Sequence, residues 1–323
     1  MSLQVETVER RLRGVDWRTQ WPTLVLTLFA IAAIAFALTT PGFMTVGNWK
    51  AVLVGAAFAG ILAVGQTPII LGGSLFSLSL GTTAAVTAMV FMSSLDHGLA
   101  AAILIAIVFG SVVCALQGAV IGGLGANPII VTIAAGVTQG GLATWATDGR
   151  TVYPDGAVSI DFLRDPVLGL PFGFVALVGV VFLVHILLRW TRFGQELQLL
   201  GANKQAARVA GLSETALTTG AFAIAGACAA VTGVLLAAFN QNATLNIEGT
   251  FTFDAIAAVL VGGATVTGGR ASAFRSAAGA IAIAAIASLL LLRGWSTGAQ
   301  VLVTGVIVLT IVALSAIHGR WAS

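Results

Sequence analysis

Charged side chains are scarce in this sequence of 323 residues: they make up 8% of it, against roughly 25% in soluble proteins. A soluble surface needs more charge than this, so the composition excludes a soluble globular domain. The hydrophobic content of 58% and the mean hydropathy of +1.02 indicate instead a polytopic membrane protein.

Cysteine and catalytic motifs are also nearly absent. Cys114 and Cys228 lie within apolar runs, where we interpret them as small core residues, not a redox pair. The sequence contains no G-x-x-x-x-G-K-[ST], H-E-x-x-H or C-x-x-C motif. His97, His185 and His318 are far apart, which disfavours a metal site. We therefore expect neither an enzyme nor a bound cofactor, and the dispersed basic residues reflect membrane topology, not nucleic-acid binding.

The apolar segments predict an all-α fold with about ten transmembrane helices. No A-x-A-like cleavage site follows the first segment, so it is interpreted as a retained span. The predicted spans are 22–39, 51–71, 80–95, 99–123, 128–145, 169–188, 215–238, 254–268, 274–293 and 298–316.

These spans divide the chain into a basic tail (1–21), a single transmembrane domain (22–317) and a short C-terminal tail (318–323). If the N-terminus is inside, 11 of the 15 Lys and Arg residues fall on the inner side. This is the expected orientation, because cytoplasmic loops carry an excess of Lys and Arg. Both termini and the 189–214 segment are then cytoplasmic, and the 146–168 loop is outside.

Five spans precede the outer loop and five follow it. An odd number per half predicts two halves of opposite orientation, an arrangement typical of transporters. Glycine is abundant, with 39 residues, which is consistent both with close helix packing and with broken helices along a pathway. The stretch from Gly72 to Gly81, which contains Ser74, Ser77 and Ser79, is the best candidate for a helix break.

Acidic residues are almost missing from the spans, and Asp254 lies at the mouth of the eighth. Ion-coupled carriers usually need ionisable groups inside the membrane. Their scarcity disfavours a proton- or sodium-coupled carrier and favours an ATPase on another chain, although backbone carbonyls can also bind sodium.

The polar 189–214 segment contains the clearest local signals. Asn203 is a good helix N-cap, so Lys204–Ala210 is predicted to form about two helical turns that end at Gly211 in a left-handed conformation. Such a short helix needs a docking partner to be stable.

This segment resembles the coupling loop of ribose-type (monosaccharide) ABC importer permeases, whose pattern is close to T-R-x-G, G-x-N, A-A and G-I. Asp254–Gly269 is similar to a second motif of that family, D-A-I-A-A-V-x-x-G-G-x-x-x-x-G-G, and Ile129–Ile133 and Leu78–Gly81 match two shorter ones. The residues that match the coupling pattern are Thr191, Arg192, Gly194, Gly201, Asn203, Ala206, Ala207, Gly211 and Leu212.

The resemblance implies the membrane subunit of a bacterial inner-membrane importer for a monosaccharide or similar small polyol. The expected partners are a second permease chain, a cytoplasmic ATPase that carries ATP and Mg²⁺, a periplasmic substrate-binding protein and the lipid bilayer. Gly201 and Gly211 would set the turns of the loop, and Ala206 and Ala207 would permit close approach.

The translocation pathway or gate is predicted from the same resemblance and from polar or glycine residues near breaks. The sequence departs from the family pattern at Ser77, Thr252, Gln139 and Ala271, and a shifted substrate or a partner subunit that supplies the missing polar groups would both fit these departures. A branched-chain amino-acid ABC permease and a stand-alone secondary carrier are the alternatives. The pathway candidates are Ser74, Ser77, Ser79, Thr132, Gln139, Asn240, Gln241, Asn242, Asp254, Gly262 and Gly263.

Overall fold

The computed structural model describes residues 39–154, 160–248, 250–265 and 268–321. Over these ranges the chain is helical, with two isolated β-bridges and no β-strand. Short 3₁₀ turns lie at Leu95–His97, Asp161–Leu163 and Leu245–Glu248. The α-helices are α1 (Val46–Leu71), α2 (Leu80–Ser93), α3 (Leu99–Leu124), α4 (Pro128–Thr147), α5 (Phe172–Trp190), α6 (Arg192–Ala202), α7 (Lys204–Val209), α8 (Glu214–Asn240), α9 (Phe251–Val261), α10 (Ala273–Leu292) and α11 (Thr297–Trp321).

Six of these helices are long and apolar enough to cross a membrane: α1, α3, α4, α5, α8 and α10. They contain 19 to 27 residues, or about 28–40 Å at 1.5 Å per residue, which matches the hydrocarbon core. The predicted all-α membrane fold is therefore confirmed, but ten spanning helices are not. The first predicted span, 22–39, lies outside the described residues.

Two predicted spans form helices that are too short to cross a membrane. The 80–95 segment becomes α2, with 14 residues, and the 254–268 segment becomes α9, with 11 residues. The predicted 254–268 span was too long because Gly262 and Gly263 end the helix. Gly263 has a φ of +78°, which a continuing α-helix does not allow.

The helix ends at Leu71 and Val261 have the same geometry. The amide of Ser74 donates to the carbonyl of Ile69, and the amide of Ala264 donates to that of Val259, both at 3.2 Å. The intervening Gly73 and Gly263 have φ values of +77° and +78°, as in a Schellman-type C-cap. The predicted break at Gly72–Gly81 is thus confirmed, since α1 stops at Leu71 and α2 starts at Leu80.

Helices α1 and α8 form the centre of the bundle. Within an apolar stretch of 18 residues in each helix, 83% of the residues are buried in α1 and 72% in α8, whereas 22% are buried in each of α3, α4 and α5. Helix α3 lies directly against α8 because glycines face each other: a Cβ on Gly226 would overlap the carbonyl of Gly110. Such small-residue contacts let membrane helices approach closely where the hydrophobic effect gives no driving force.

Candidate functional site

The polar segment between α5 and α8 folds into two capped helices. Thr191 ends α5 and begins α6, and its hydroxyl accepts a hydrogen bond from the amide of Gly194. Asn203 begins α7, and its Oδ1 accepts from the amide of Ala206 at 3.0 Å. The predicted N-cap at Asn203 is confirmed, and α7 ends at Val209, one residue before the predicted end.

The end of α7 is closed by Gly211, which has a φ of +79°. The left-handed glycine predicted from the sequence is therefore confirmed. The carboxylate of Glu214, in the first turn of α8, bonds to Lys204 Nζ at 3.0 Å and to Arg208 Nη2 at 2.8 Å. Both cations of this six-residue helix are thus held by one carboxylate of α8.

Apolar side chains anchor this segment, named here the α6–α7 segment (Arg192–Val209), to the bundle. Leu197, Leu200 and Ala207 are buried in one cluster with Leu71 of α1 and Leu217 of α8. Ala207 is 3% exposed and lies in this cluster within the chain, and its predicted role in coupling to the ATPase stays a prediction. Val209 is 90% exposed and was not predicted as a site residue, because an isolated valine gives no signal in sequence.

Gly201 lies inside α6 and does not form a turn, contrary to the expectation from sequence. A Cβ at this position would overlap the carbonyl oxygen of Leu71 and would lie 2.8 Å from the amide nitrogen of Gly269. Gly73 and Gly268 complete the contact: a Cβ on Gly268 would lie 2.5 Å from Gly73 Cα and 3.0 Å from the Gly201 carbonyl oxygen. We call this meeting of three backbones the glycine junction (Gly73, Gly201, Gly268 and Gly269).

A buried chain of polar side chains follows the helix break after α1. Gln66 Nε2 donates to the Ser77 carbonyl at 2.8 Å, and the Ser77 amide donates to Gln66 Oε1 at 3.0 Å. The hydroxyls of Ser77 and Ser79 are 3.1 Å apart, and Ser79 donates to Gln117 Oε1 at 2.7 Å. The break is therefore held inside the bundle with its polar groups paired, as an apolar environment requires.

Helix α4 contributes the remaining members of this polar cluster. Thr132 Oγ1 accepts from the amide of Leu78 at 3.2 Å, and Thr83 Oγ1 donates to Gln139 Oε1 at 2.9 Å. The structure thus brings together the predicted Ser77, Ser79, Thr132 and Gln139. Gln66, Gln117 and Thr83 were missed, although a lone amide in an otherwise apolar span is a usable signal for the two glutamines.

Gln139 is the member of the cluster with an unused donor. Its Nε2 is buried and has no hydrogen-bond partner among the described residues. Gln139 and Gln117 also line a cavity of about 840 Å³ between α2, α3 and α4, together with apolar residues such as Met89 and Leu142. A buried amide group without a partner costs free energy, and at a cavity wall it is available to a polar ligand.

The other predicted pathway residues do not join this cluster. Asn240, Gln241 and Asn242 donate their side-chain amides to backbone carbonyls within four residues, at the end of α8. Asp254 accepts from Thr250 Oγ1 at 2.8 Å in the first turn of α9. Ser74 is buried at the C-cap of α1, and Gly262 contacts the Arg275 backbone, which a Cβ would approach to 2.6 Å.

Metal-binding chemistry finds no support in the part of the chain that the structure describes. No group of three His, Cys, Asp or Glu residues there could hold an ion. The arrangement instead combines apolar spanning helices, a helix break lined with amides and hydroxyls, and a docked pair of short helices at one end. These features define a multi-pass helical membrane protein with a buried cluster of polar side chains inside the bundle.

Comparison with known proteins assigns the family. The family described as branched-chain amino acid transport system / permease component matches residues 23–312, and the chain belongs to it. It is 31% identical over 290 residues to the probable ABC transporter permease protein YphD of Escherichia coli (strain K12), covering 89% of this chain and 87% of that protein.

Two sugar permeases are similar along most of their lengths. The fructose import permease protein FruF of Bifidobacterium longum is 29% identical, over 79% of this chain and 74% of its own. The ribose import permease protein RbsC of Escherichia coli (strain K12) is 26% identical, over 93% and 94%. The resemblance to ribose-type ABC permeases inferred from the sequence motifs is confirmed.

Proposed function

We propose that this chain is the transmembrane subunit of an ABC importer that moves a monosaccharide or similar small polyol across the bacterial inner membrane. The observation that carries the proposal is similarity over 79–94% of this chain to relatives named for ribose, fructose, galactofuranose and allose. ATP and Mg²⁺ would bind a separate ATPase, and a periplasmic binding protein would deliver the sugar. The family name also includes branched-chain amino acids, but the relatives' names favour a sugar.

The α6–α7 segment would be the contact with the ATPase. Val209 is 90% exposed at the end of α7, beside the exposed Ala206, and burying such apolar surface against a partner is favourable. Movement of the segment would reach α1 and the loop after α9 through the glycine junction, where backbones touch directly. Rigid-body tilting of helices would then give alternating access.

Helix lengths support two inverted halves. Pairing each helix with the one seven places later matches α1 with α8 (26 and 27 residues) and the short α2 with the short α9 (14 and 11). The pairs α3 with α10 and α4 with α11 complete the set. If the short α2, together with the break before it, and the short α9, together with the segment after it, each make one pass, four passes lie between partners. The paired helices would then run in opposite directions, with both termini and the α6–α7 segment cytoplasmic.

The sugar pathway would pass the polar cluster at the α2–α4 side of the bundle, where a second permease chain would complete its wall. Gln139 Nε2 is the free donor there, and sugar hydroxyls are good acceptors. Ser77 and Ser79 would be held in place by Gln66 and Gln117, and would line the break without needing a charge.

The test is a mild-detergent pull-down of tagged protein from its own membranes, comparing Val209→Asp with Leu168→Asp. Leu168 is 97% exposed and precedes α5, at the end opposite to α7, so it is a control with the same chemical change. We expect an ATPase with the wild type and the control, and a loss of at least tenfold with Val209→Asp.

Three results would count against this proposal, and each points elsewhere. Uptake by ATP-free vesicles would indicate a secondary carrier. Equal ATPase recovery with both variants would show that Val209 does not take part in the contact with the ATPase. Uptake of branched-chain amino acids in preference to sugars would transfer the chain to the other substrate class of the family.

A further inference from the structure

A second cavity, of about 490 Å³, lies where α5, α6 and the start of α10 meet. Arg189 enters it from the last turn of α5, Arg270 from the loop before α10, and Arg275 from the first turn of α10. His185, Gln198 and Ser272 supply further hydrogen-bonding groups to the wall. The size is within the range of ligand pockets, 300–1,000 Å³.

The charge in this cavity is not balanced. No Asp or Glu lines it, and none of its three arginines forms an ion pair with a residue that the structure describes. Ser272 is the N-cap of the 20-residue α10, yet its side chain makes no capping bond. The first turn of α10 adds backbone amides and the positive end of the helix dipole. All of these groups favour an anion.

The surroundings of the cavity identify the source of that anion. His185 and Leu188 lie within the last six residues of the spanning helix α5, so the cavity extends about 6 Å along that helix from His185 to Arg189. Next to it, Phe182 and His185 contact Phe274 edge to face, at 5.3 and 4.7 Å between ring centroids. Phe182 is 53% exposed and Trp190 76% exposed, as expected of side chains that contact lipid tails and the interface.

We propose that this cavity binds the phosphate of an anionic phospholipid headgroup, held by Arg189, Arg270 and Arg275. The acyl chains would lie against the exposed apolar faces of α5 and α10. The inference rests on the proposed membrane placement, with the α6–α7 segment at the cytoplasmic surface. Basic pockets between helices on that side are suited to such headgroups.

The cavity also touches the glycine junction, which gives the lipid a functional role. Leu71 and Gly269 both line its wall, and the Gly269 amide donates to the Leu71 carbonyl at 3.1 Å. A bound headgroup would therefore fix the loop before α10 next to the contact between α1 and α6. Anionic lipid is expected to stabilise this end of the bundle selectively.

The experiment measures thermal stability and lipid retention of the purified full-length chain, independently of transport. Three proteins are titrated in detergent with phosphatidylglycerol, phosphatidylcholine or inorganic phosphate. They are the wild type, the triple variant Arg189→Gln/Arg270→Gln/Arg275→Gln and the control variant Arg150→Gln/Arg164→Gln. Each arginine is expected to contribute roughly a five-fold change in phosphatidylglycerol affinity. The triple variant should lose roughly a hundredfold in affinity, and native mass spectrometry should show retained phosphatidylglycerol only on the wild type and the control.

The outcomes separate the possible occupants. Stabilisation by phosphatidylglycerol that the triple variant alone loses would support the proposal, and an equal effect of inorganic phosphate would identify a soluble phosphate as the source. Equal lipid binding by all three proteins would overturn it. The proposal would also be overturned if the triple variant bound lipid normally but no longer recovered the ATPase, because this result would assign the arginines to a protein contact. Because the test measures lipid binding and thermal stability, its outcome does not depend on whether the chain transports a sugar.

Discussion

The backbone amide of Gly269 donates a hydrogen bond of 3.1 Å to the carbonyl oxygen of Leu71. It joins the loop after α9 to the last residue of α1, and Gly201 of α6 packs against the same carbonyl. No side chain separates these three backbones. Side chains at such a contact could absorb a movement by changing rotamer, but backbone atoms cannot. A displacement of α6 is therefore passed on to the break after α1 and to the break after α9.

Replacing Gly201 with alanine should disrupt this contact. The added Cβ would overlap the Leu71 carbonyl, and overpacking of this kind costs about 1–3 kcal/mol. We expect a lower melting temperature and strongly reduced uptake. Gly305→Ala is the control, because nothing lies within 4 Å of a Cβ on Gly305 in α11. Unchanged uptake by Gly201→Ala would show that the close contact is unnecessary for transport.

Removing the charge of Glu214 should loosen α7 with little effect on the bundle. Its partners are exposed, with 50% and 68% of the Lys204 and Arg208 side chains accessible, so the loss in stability should stay below about 1 kcal/mol. Hydrogen exchange in residues 203–212 should nevertheless accelerate in Glu214→Gln, and high salt should produce the same effect in the wild type. Exchange that is insensitive to both would mean that the caps alone hold the helix.

The two glutamines of the polar cluster should respond differently to substitution. Gln117→Leu removes the acceptor of the Ser79 hydroxyl, and leaving a buried donor unpaired costs about 1–3 kcal/mol. Gln139→Leu removes an unpaired amide, while the Thr83 hydroxyl keeps the Ser79 carbonyl at 2.8 Å as acceptor. We expect Gln117→Leu to lower the melting temperature, and Gln139→Leu to raise the half-saturating substrate concentration at nearly unchanged stability.

The proposed orientation can be measured with a membrane-impermeant maleimide. Cys114 and Cys228 are 0% and 4% exposed, so the folded wild type should label poorly. In intact spheroplasts, Leu168→Cys should label at once, and Val209→Cys should label only after the membrane is opened. The reverse pattern would invert the topology and place the α6–α7 segment outside.

Features that depend on neighbouring residues were predictable from the sequence. Asn203 and Gly211 delimit α7 through contacts within the segment itself, and the glycines after Leu71 end α1 in the same local way. The role of Gly201 was not predictable, because the carbonyl it packs against belongs to Leu71, far away in the sequence. The sequence likewise does not show that Ala207 is buried beside Leu197 and Leu200 of α6, because these contacts depend on how the two helices pack.

The partners within the polar cluster were only half predictable. Ser77 and Ser79 stand out because they interrupt an apolar run next to glycines. Gln66 and Gln117 come from separate helices, and their convergence on the serines depends on helix register and packing, which periodicity does not determine. The end of α9 could have been predicted, because Gly262 and Gly263 follow it as Gly72 and Gly73 follow α1; the predicted 254–268 span ran past this signal.

Helix α7 is fully formed in the single chain, with its N-cap, its glycine cap, two ion pairs and a buried alanine. A partner that meets it would find the bound shape already populated, so association would not carry the entropy of coupled folding. Calorimetry should then give a heat-capacity change that corresponds only to the area covered, without the larger change typical of a segment that folds on binding.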